Sequence, residues 1–494
     1  MLTELDPGCP VLPADGPFRD GADGVVEIVG DAARVHVLAA PDLCLVCDDP
    51  VAMRDELRRR GRLPAVDPLA VSEFLHHGFV TAPRSMRHGL YRLGVGDVLA
   101  LIPGGGYRES YCFPWPNAGS RGDTEPSTDR LLELLTAAVT RSVGDSPATL
   151  MLSSGKDSVA LALACREAGR TDVRTVTFTS GDDGEAADAS VFARRLGLAH
   201  RTITLPDDAE RIEQVMARYF ATASEPCGDP TLVPYLLAVD AAALAAGECL
   251  IDGLNNDSWI GYVPSPAEAR GSRIADRWLW WARPWRGLAP MESPVSAALK
   301  NRAEWHFFGG RWLRHADTRR FFAGSVDTHR QWLWRSKALR GSDDFDFRAM
   351  VRGRHFDPNA TTLKGRCAGE ALGVRPVFPY DEPELADWWH HLPERYRFDR
   401  ANLVNKVLLR QLLRERLDYD DQRLGKRVFE FDGEGFLTRH RAMVEGEIAA
   451  CPLWSDAVGP MVRDLLDRPA ALRKTWPSLM ALYQLSGWLT RNLP

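Results

Sequence analysis

Residues 148–158 read A-T-L-M-L-S-S-G-K-D-S, and this stretch decides the fold. The apolar run Leu150, Met151, Leu152 breaks off into a loop of small hydroxyl residues and one glycine. Helix formers follow at once, from Val159 to Ala168. Buried strand, tight loop, helix is the order this pattern specifies. The loop then lies over a helix N-terminus, where unpaired N–H groups and the positive end of the dipole favour an anion. Ser153, Ser154 and Ser158 add hydroxyl donors. Asp157 sets a carboxylate beside that anion, which makes chemical sense if a divalent cation bridges the two. The P-loop pattern G-x-x-x-x-G-K-[ST] is absent. On the loop alone, a plain turn of small residues is the competing reading.

Working outward, strand and helix signals alternate. Residues 173–178 read as a strand, 185–196 as a helix ending at Gly197, and 201–205 as a strand. Helices follow around 210–221 and 232–246, then the apolar strand 249–252. Such alternation specifies an α/β fold, a parallel sheet with helices on both faces. Ligands in such sheets sit beyond the carboxyl ends of the strands, and Asp157 and Asp257 each follow one. Upstream, 25–29, 34–38 and 43–47 read as strands and 51–60 as a short helix, so residues 1–115 form a small β-rich domain. Residues 116–127 are a linker rich in Pro, Gly, Ser and charge. Residues 128–494 form the second domain, opened by a helix that Thr128 can cap. A Trp- and Arg-rich helical insert spans about 264–353 and includes R-W-L-W-W-A-R-P-W-R. Its tryptophans either pack the insert against the domain or offer a platform to an apolar or peptide-like partner.

Composition excludes several classes. With 494 residues, 45% hydrophobic and 26% charged, the chain is an ordinary globular protein large enough for two or three cores. A formal charge of −6 and a pI near 6.1 leave no electrostatic footprint for nucleic acid or anionic lipid. No apolar run approaches a membrane span. The acidic start M-L-T-E-L-D-P-G and nine scattered cysteines suit a reducing cytoplasm. Cys44 and Cys47 form a lone C-x-x-C; without a second pair, buried strand cysteines outweigh zinc. Only seven of the 61 basic residues are lysine, so a lysine kept at a motif position is informative.

Four blocks in order carry a resemblance: S-S-G-K-D-S at 153–158, S-E-P-C-G-D-P at 224–230, D-G-L-N-N-D-S-W-I-G-Y at 252–262, and P-Y-D-E-P-E-L…L-P…N-K-V-L-L-R at 379–410. The first resembles the S-G-G-x-D-S pyrophosphate loop of the ATP pyrophosphatases, with Ser154 replacing a glycine. Together they resemble asparagine synthetase-like amide-forming enzymes, a family that includes β-lactam synthetases and lasso-peptide macrolactam cyclases. The resemblance implies a sheet of the adenine nucleotide α-hydrolase (PP-loop) type behind a truncated, degenerate glutaminase-like domain. It also implies the family reaction, in which ATP adenylates a carboxylate, pyrophosphate leaves, and an amine or ammonia attacks.

Site residues follow from the resemblance. Ser153, Ser154, Gly155, Lys156 and Ser158 match the pyrophosphate loop, and Asp157 and Asp257 the Mg²⁺ carboxylates. Lys406 matches the catalytic lysine and Lys426 a second basic position near the phosphates. Adenine is expected near Met151, Leu152, Ser180, Asp252 and Gly253. The expected partners are a small-molecule or peptide carboxylate and an amine or ammonia donor. A partner protein docking through the small domain or the Trp-rich insert, and homodimerisation, stay open. Each position also has a plain structural reading: Asp157 as a helix N-terminal carboxylate, Asp257 as a turn residue, Lys406 as a solvated helix face.

Departures sharpen the expectation. Glutamine-dependent members place a catalytic cysteine second, where this chain has Leu2, so glutamine hydrolysis is not expected. The tyrosine and glutamate with which β-lactam synthetases deprotonate their amine align with Leu254 and, more loosely, Arg375, neither of which is a base. Asn255 and Asn256 replace a glycine-rich turn. Two other classes compete: a PP-loop tRNA-modifying enzyme, which the net negative charge opposes, and a non-catalytic nucleotide-binding homologue.

Overall fold

The computed structural model describes residues 2–5, 17–20, 25–30, 34–102, 106–111, 126–179, 184–260, 270, 313–328, 352–420, 424 and 431–493. Ser180, Lys426 and most of the Trp-rich segment lie outside them.

The amino-terminal strands make two antiparallel four-stranded sheets. One has the order β1 (Leu2–Leu5), β5 (Leu43–Cys47), β4 (Val35–Ala40), β6 (Leu90–Leu93). The other runs β2 (Phe18–Asp20), β3 (Val26–Val29), β7 (Asp97–Leu101), β8 (Tyr107–Tyr111). Their facing sides share one core of Val26, Ile28, Val37, Val46, Leu99 and their neighbours. The β5 sequence L-C-L-V-C shows the strand period of two. Cys44 and Val46 enter the sandwich, while Leu43, Leu45 and Cys47 face Met53 and Leu57 of the helix Pro50–Arg59. The two cysteines of the C-x-x-C therefore point to opposite faces and cannot share a metal. Both are buried thiols, and burial pushes Cys44 up to about 12.

The second unit is a parallel sheet ordered β11 (His200–Thr204), β10 (Arg174–Thr179), β9 (Ala148–Met151), β12 (Cys249–Ile251), β13 (Arg375–Val377). The chain runs outward from β9 through β10 to β11, then crosses to the other side of β9 to lay down β12. This reversal opens a crevice at the carboxyl ends of β9 and β12, where open α/β sheets bind ligands. Ile251 and Leu150 face a core shared with the helices Thr128–Val143, Lys156–Glu167 and Val407–Leu417. Leu250 faces the other side, with the helices Ala209–Thr222, Leu232–Ala242, Thr361–Leu372 and Pro469–Asn492. The expected helix-covered parallel sheet is what the chain forms. No helix among the described residues is long and apolar enough to cross a membrane.

One helix, Pro68–His77, departs from the sequence reading, which ran this stretch through without an element. All eight residues from Ala70 to His77 are buried, so the polar face of Ser72, Glu73, His76 and His77 is covered by protein where its pattern reads as solvated. Ala70, Val71, Phe74 and Leu75 join the core of Phe220, Tyr483 and Trp488. The large core thus reaches back across residue 115. Its seam carries buried carboxylates with matched donors. Glu73 accepts from Thr81 N at 3.0 Å and from Arg84; Glu225 accepts from Ser85 Oγ at 2.5 Å and Met86 N at 3.0 Å. A Cβ on Gly228 would stand 2.1 Å from Gly78 O, so the two backbones meet where only glycine fits.

Candidate active site

The loop after β9 is held by its own serines. Ser158 Oγ accepts from Ser153 N at 3.0 Å and lies 2.9 Å from Ser153 Oγ, which accepts from Gly155 N at 3.1 Å. These two hydroxyls, expected as direct anion donors, are occupied in shaping the loop. Ser154 is buried, and its carbonyl accepts from Tyr419 OH at 2.8 Å. Gly155 caps the helix Lys156–Glu167 with no side-chain hydrogen bond. The first-turn N–H groups are therefore left for an anion by the backbone itself. Beside them stands Lys156, lowered to about 8; burial is the main cause, and Lys406 and Arg410 add to it against the pull of Asp157.

After β12 the turn closes on the same loop. A Cβ on Gly253 would stand 3.2 Å from Ser158 N and 3.4 Å from the Asp157 carbonyl carbon, so the absent side chain lets the two turns approach. Asn255 holds φ 72°, a left-handed conformation that asparagine tolerates better than most residues. Its Nδ2 donates to Asp381 Oδ1 at 2.6 Å and Oδ2 at 2.8 Å. Ser258 Oγ donates to Asp357 Oδ2 at 2.5 Å, and Asp357 pairs with Arg352 at 2.6 Å. The short helix that begins at Asn256 is thereby fixed, and Asp257 projects into the crevice with its side chain 34% exposed.

Lys406 arrives from the carboxy-terminal third. A hairpin of β14 (Phe398–Asp399) and β15 (Val404–Asn405) delivers it to the N-cap of the helix Val407–Leu417 at φ 59°, ψ 41°. Leu408, Leu409, Leu412 and Leu413 bind that helix to the core beneath β9. Lys406 Nζ lies 2.6 Å from Asp157 Oδ2 and 2.8 Å from Asp257 Oδ1. Its side chain is 2% exposed, which rules out a solvated helix face. Burial alone would lower the ammonium, but the carboxylates of Asp157 and Asp257 more than offset this and hold it raised. Burial alone would raise the Asp257 carboxyl, but the Lys406 ammonium, with Arg352, overcomes this and holds it well below the usual range. Asn405 Nδ2 also donates to Asp257 Oδ1, at 3.2 Å, and Tyr380 OH to Asp157 O, at 3.0 Å.

Two carboxylates, each from the helix that follows one of two adjacent parallel strands, thus face one point occupied by a cationic group. A divalent cation fits that donor set: oxygen ligands, few from protein, leaving coordination positions for phosphate and water. Among the described residues no cluster of three His, Cys, Asp or Glu side chains suits a metal, so a dedicated all-protein metal cage is not what these residues build.

The family model for asparagine synthase matches residues 130–489. The chain belongs to the asparagine synthase family. It is an ATP-dependent ligase of the carbon–nitrogen bond-forming kind. A comparison with curated proteins finds no match.

Within this synthetase the structure sorts the sequence-derived positions. Asp157, Asp257, Lys406, Lys156 and Gly253 converge. Leu152 is turned into the core, offering the crevice only backbone, and its carbonyl already accepts from Thr177 Oγ1 at 2.5 Å. Met151 is half-buried on the other face. The Asp252 carboxylate points away to Tyr235 OH at 2.8 Å, and burial raises its pKa. Arg375 sits at the opposite end of the sheet, donating to Ser142 O, Val143 O and Cys249 Sγ, so it takes no part in this site. The block 224–230 belongs to the seam through Glu225 and Gly228. Sequence reading missed Asn256, whose Nδ2 donates to Asp157 Oδ1 at 2.7 Å, and also Tyr380, Asp381 and Asn405. The resemblance marked the segments that hold the last three without marking the residues.

Proposed function

We propose that this synthetase adenylates a carboxylate with ATP, releases pyrophosphate, and passes the acyl group to an amine or ammonia, which displaces AMP. One observation carries the reading: Lys406 Nζ stands between Asp157 and Asp257 at the ends of β9 and β12. Asp157 and Asp257 are the residues that would hold Mg²⁺, which when bound would neutralise phosphate charge. First-turn N–H groups of the helix Lys156–Glu167 and the Lys156 ammonium hold the departing pyrophosphate. Lys406, turned from its carboxylates to the substrate, would stabilise negative charge at the α-phosphate and then on the tetrahedral carbon's oxygen. Adenine lies against Met151 and Gly253, with Ser180 and Lys426 as further contacts to the nucleotide. The amino-terminal sandwich serves as scaffold. The setting we propose is natural-product assembly, with lasso-type macrolactam closure of a peptide among the candidate reactions.

ATP–pyrophosphate exchange over a panel of carboxylic acids tests this. Exchange that requires one class of acid, with AMP as the nucleotide product once an amine is added, is the expected result. ATP turnover to ADP, or no exchange with any acid, contradicts it.

A further inference from the structure

Asn256 carries an unmatched acceptor beside the candidate metal carboxylates. It is 2% exposed, its Nδ2 donates to Asp157 Oδ1 at 2.7 Å, and its Oδ1 has no hydrogen-bond partner among the described residues. The orientation of the amide is not arbitrary. A carboxylate only accepts, so the group facing Asp157 is the NH₂ and the orphan is the oxygen. A buried carbonyl oxygen without a donor costs free energy, and native proteins rarely keep one that nothing satisfies. Another orphaned amide oxygen, Gln484 Oε1, lies in the helical core, where the same side chain's Nε2 donates to Asp229 O at 3.2 Å. Asn256 differs in being bonded to a residue of the reactive crevice.

The surroundings define the missing donor. Asp157 Oδ1 is taken by Asn256 and Oδ2 faces Asp257 across the Lys406 ammonium. A hard divalent cation held by two carboxylates keeps several water ligands, each with hydrogens that seek acceptors. Partners of this kind, one step removed from the metal, orient its ligands and tune its affinity.

We propose that Asn256 is a metal-positioning residue: its Nδ2 turns Asp157 so that Oδ2 meets the cation, and its Oδ1 accepts a hydrogen bond from a water on that cation. This rests on the metal role proposed above for Asp157 and Asp257.

The test is a Mn²⁺ titration of the full chain with ATP, followed by loss of the free-ion electron paramagnetic resonance signal. Metal-free ATP binding is measured in parallel by equilibrium dialysis. Asn256→Ala is expected to weaken Mn²⁺ binding about 10–100-fold while metal-free ATP affinity holds within twofold, and Asn256→Gln recovers part of the loss. Mn²⁺ affinity unchanged in Asn256→Ala, or a parallel loss of metal-free ATP affinity, overturns the assignment to Asn256 alone. A raised KM for the amine with unchanged Mn²⁺ affinity overturns it too, and hands the oxygen to the substrate. Failure of the wild-type chain to retain Mn²⁺ with ATP removes the metal reading itself.

Discussion

The crevice at β9 and β12 and the seam around Glu73 and Glu225 both bury charge, and they do so in opposite ways. In the seam each carboxylate is saturated by donors from its own surroundings: Thr81 and Arg84 on Glu73, Ser85 and Met86 on Glu225. In the crevice the carboxylates keep 28% and 34% of their side-chain surface, one lysine serves both, and a neighbouring amide oxygen accepts nothing from the described residues. Carboxylates matched by donors of their own surroundings hold a structure together, even with Arg84 Nε left as an orphan in the seam; in the crevice the unmatched oxygen lies beside carboxylates that share one cation. The difference separates two sequence blocks that look equally conspicuous on paper, 224–230 and 252–262.

The largest expected effect falls on the crevice. Lys406→Met removes the cation without shortening the stem, and product formation should fall on the order of 10²–10³-fold while ATP still binds. Turnover within a few-fold of wild type would take the lysine out of its role. The same variant leaves two carboxylates facing each other. Mn²⁺ without nucleotide should therefore bind it more than about tenfold more tightly than wild type; equal affinity would mean that lysine and metal do not compete for one place.

Substitutions in the seam should cost stability and spare the chemistry. Gly228→Ala drives a methyl group into Gly78 O and should destabilise by about 1–3 kcal/mol, read as a lower denaturant midpoint, with activity per folded molecule unchanged. A selective loss of turnover there would erase the contrast between the two regions. The smallest effect is a pH slope. Burial pushes Glu370 up to about 7, against the hydrogen bonds from Ser224. A carboxyl with a folded value above its ordinary 4.5 contributes stability below that value and loses it as pH rises through 7. Glu370→Gln should flatten the wild-type decline in thermal midpoint between pH 4.5 and 7, and parallel profiles would refute the assignment.

Much of the crevice was legible because it is made of local order: an apolar strand, a small-residue loop and a helix at 148–168, repeated in outline at 249–260. Those patterns place Asp157 and Asp257 at strand ends whatever the rest of the chain does. Lys406 was reachable only through the resemblance, since nothing local distinguishes N-K-V-L-L-R from a surface helix. Its left-handed backbone and burial appear only when the hairpin at 398–405 folds back. Asn256 stood out in the sequence only as a departure from a glycine-rich turn, because an orphaned oxygen is a property of tertiary packing. The helix Pro68–His77 was missed for a related reason: Glu73, His76 and His77 look like solvent-facing residues until a second core covers them.

A crystal structure with Mg²⁺ and a non-hydrolysable α,β-methylene analogue of ATP tests the central claim most directly. The account predicts a cation between the carboxylates of Asp157 and Asp257, phosphate oxygens on the N-terminus of the helix Lys156–Glu167, and the Lys406 ammonium moved from the aspartates to the α-phosphate. Nucleotide bound elsewhere, or Lys406 still bridging both carboxylates with no metal between them, would contradict it.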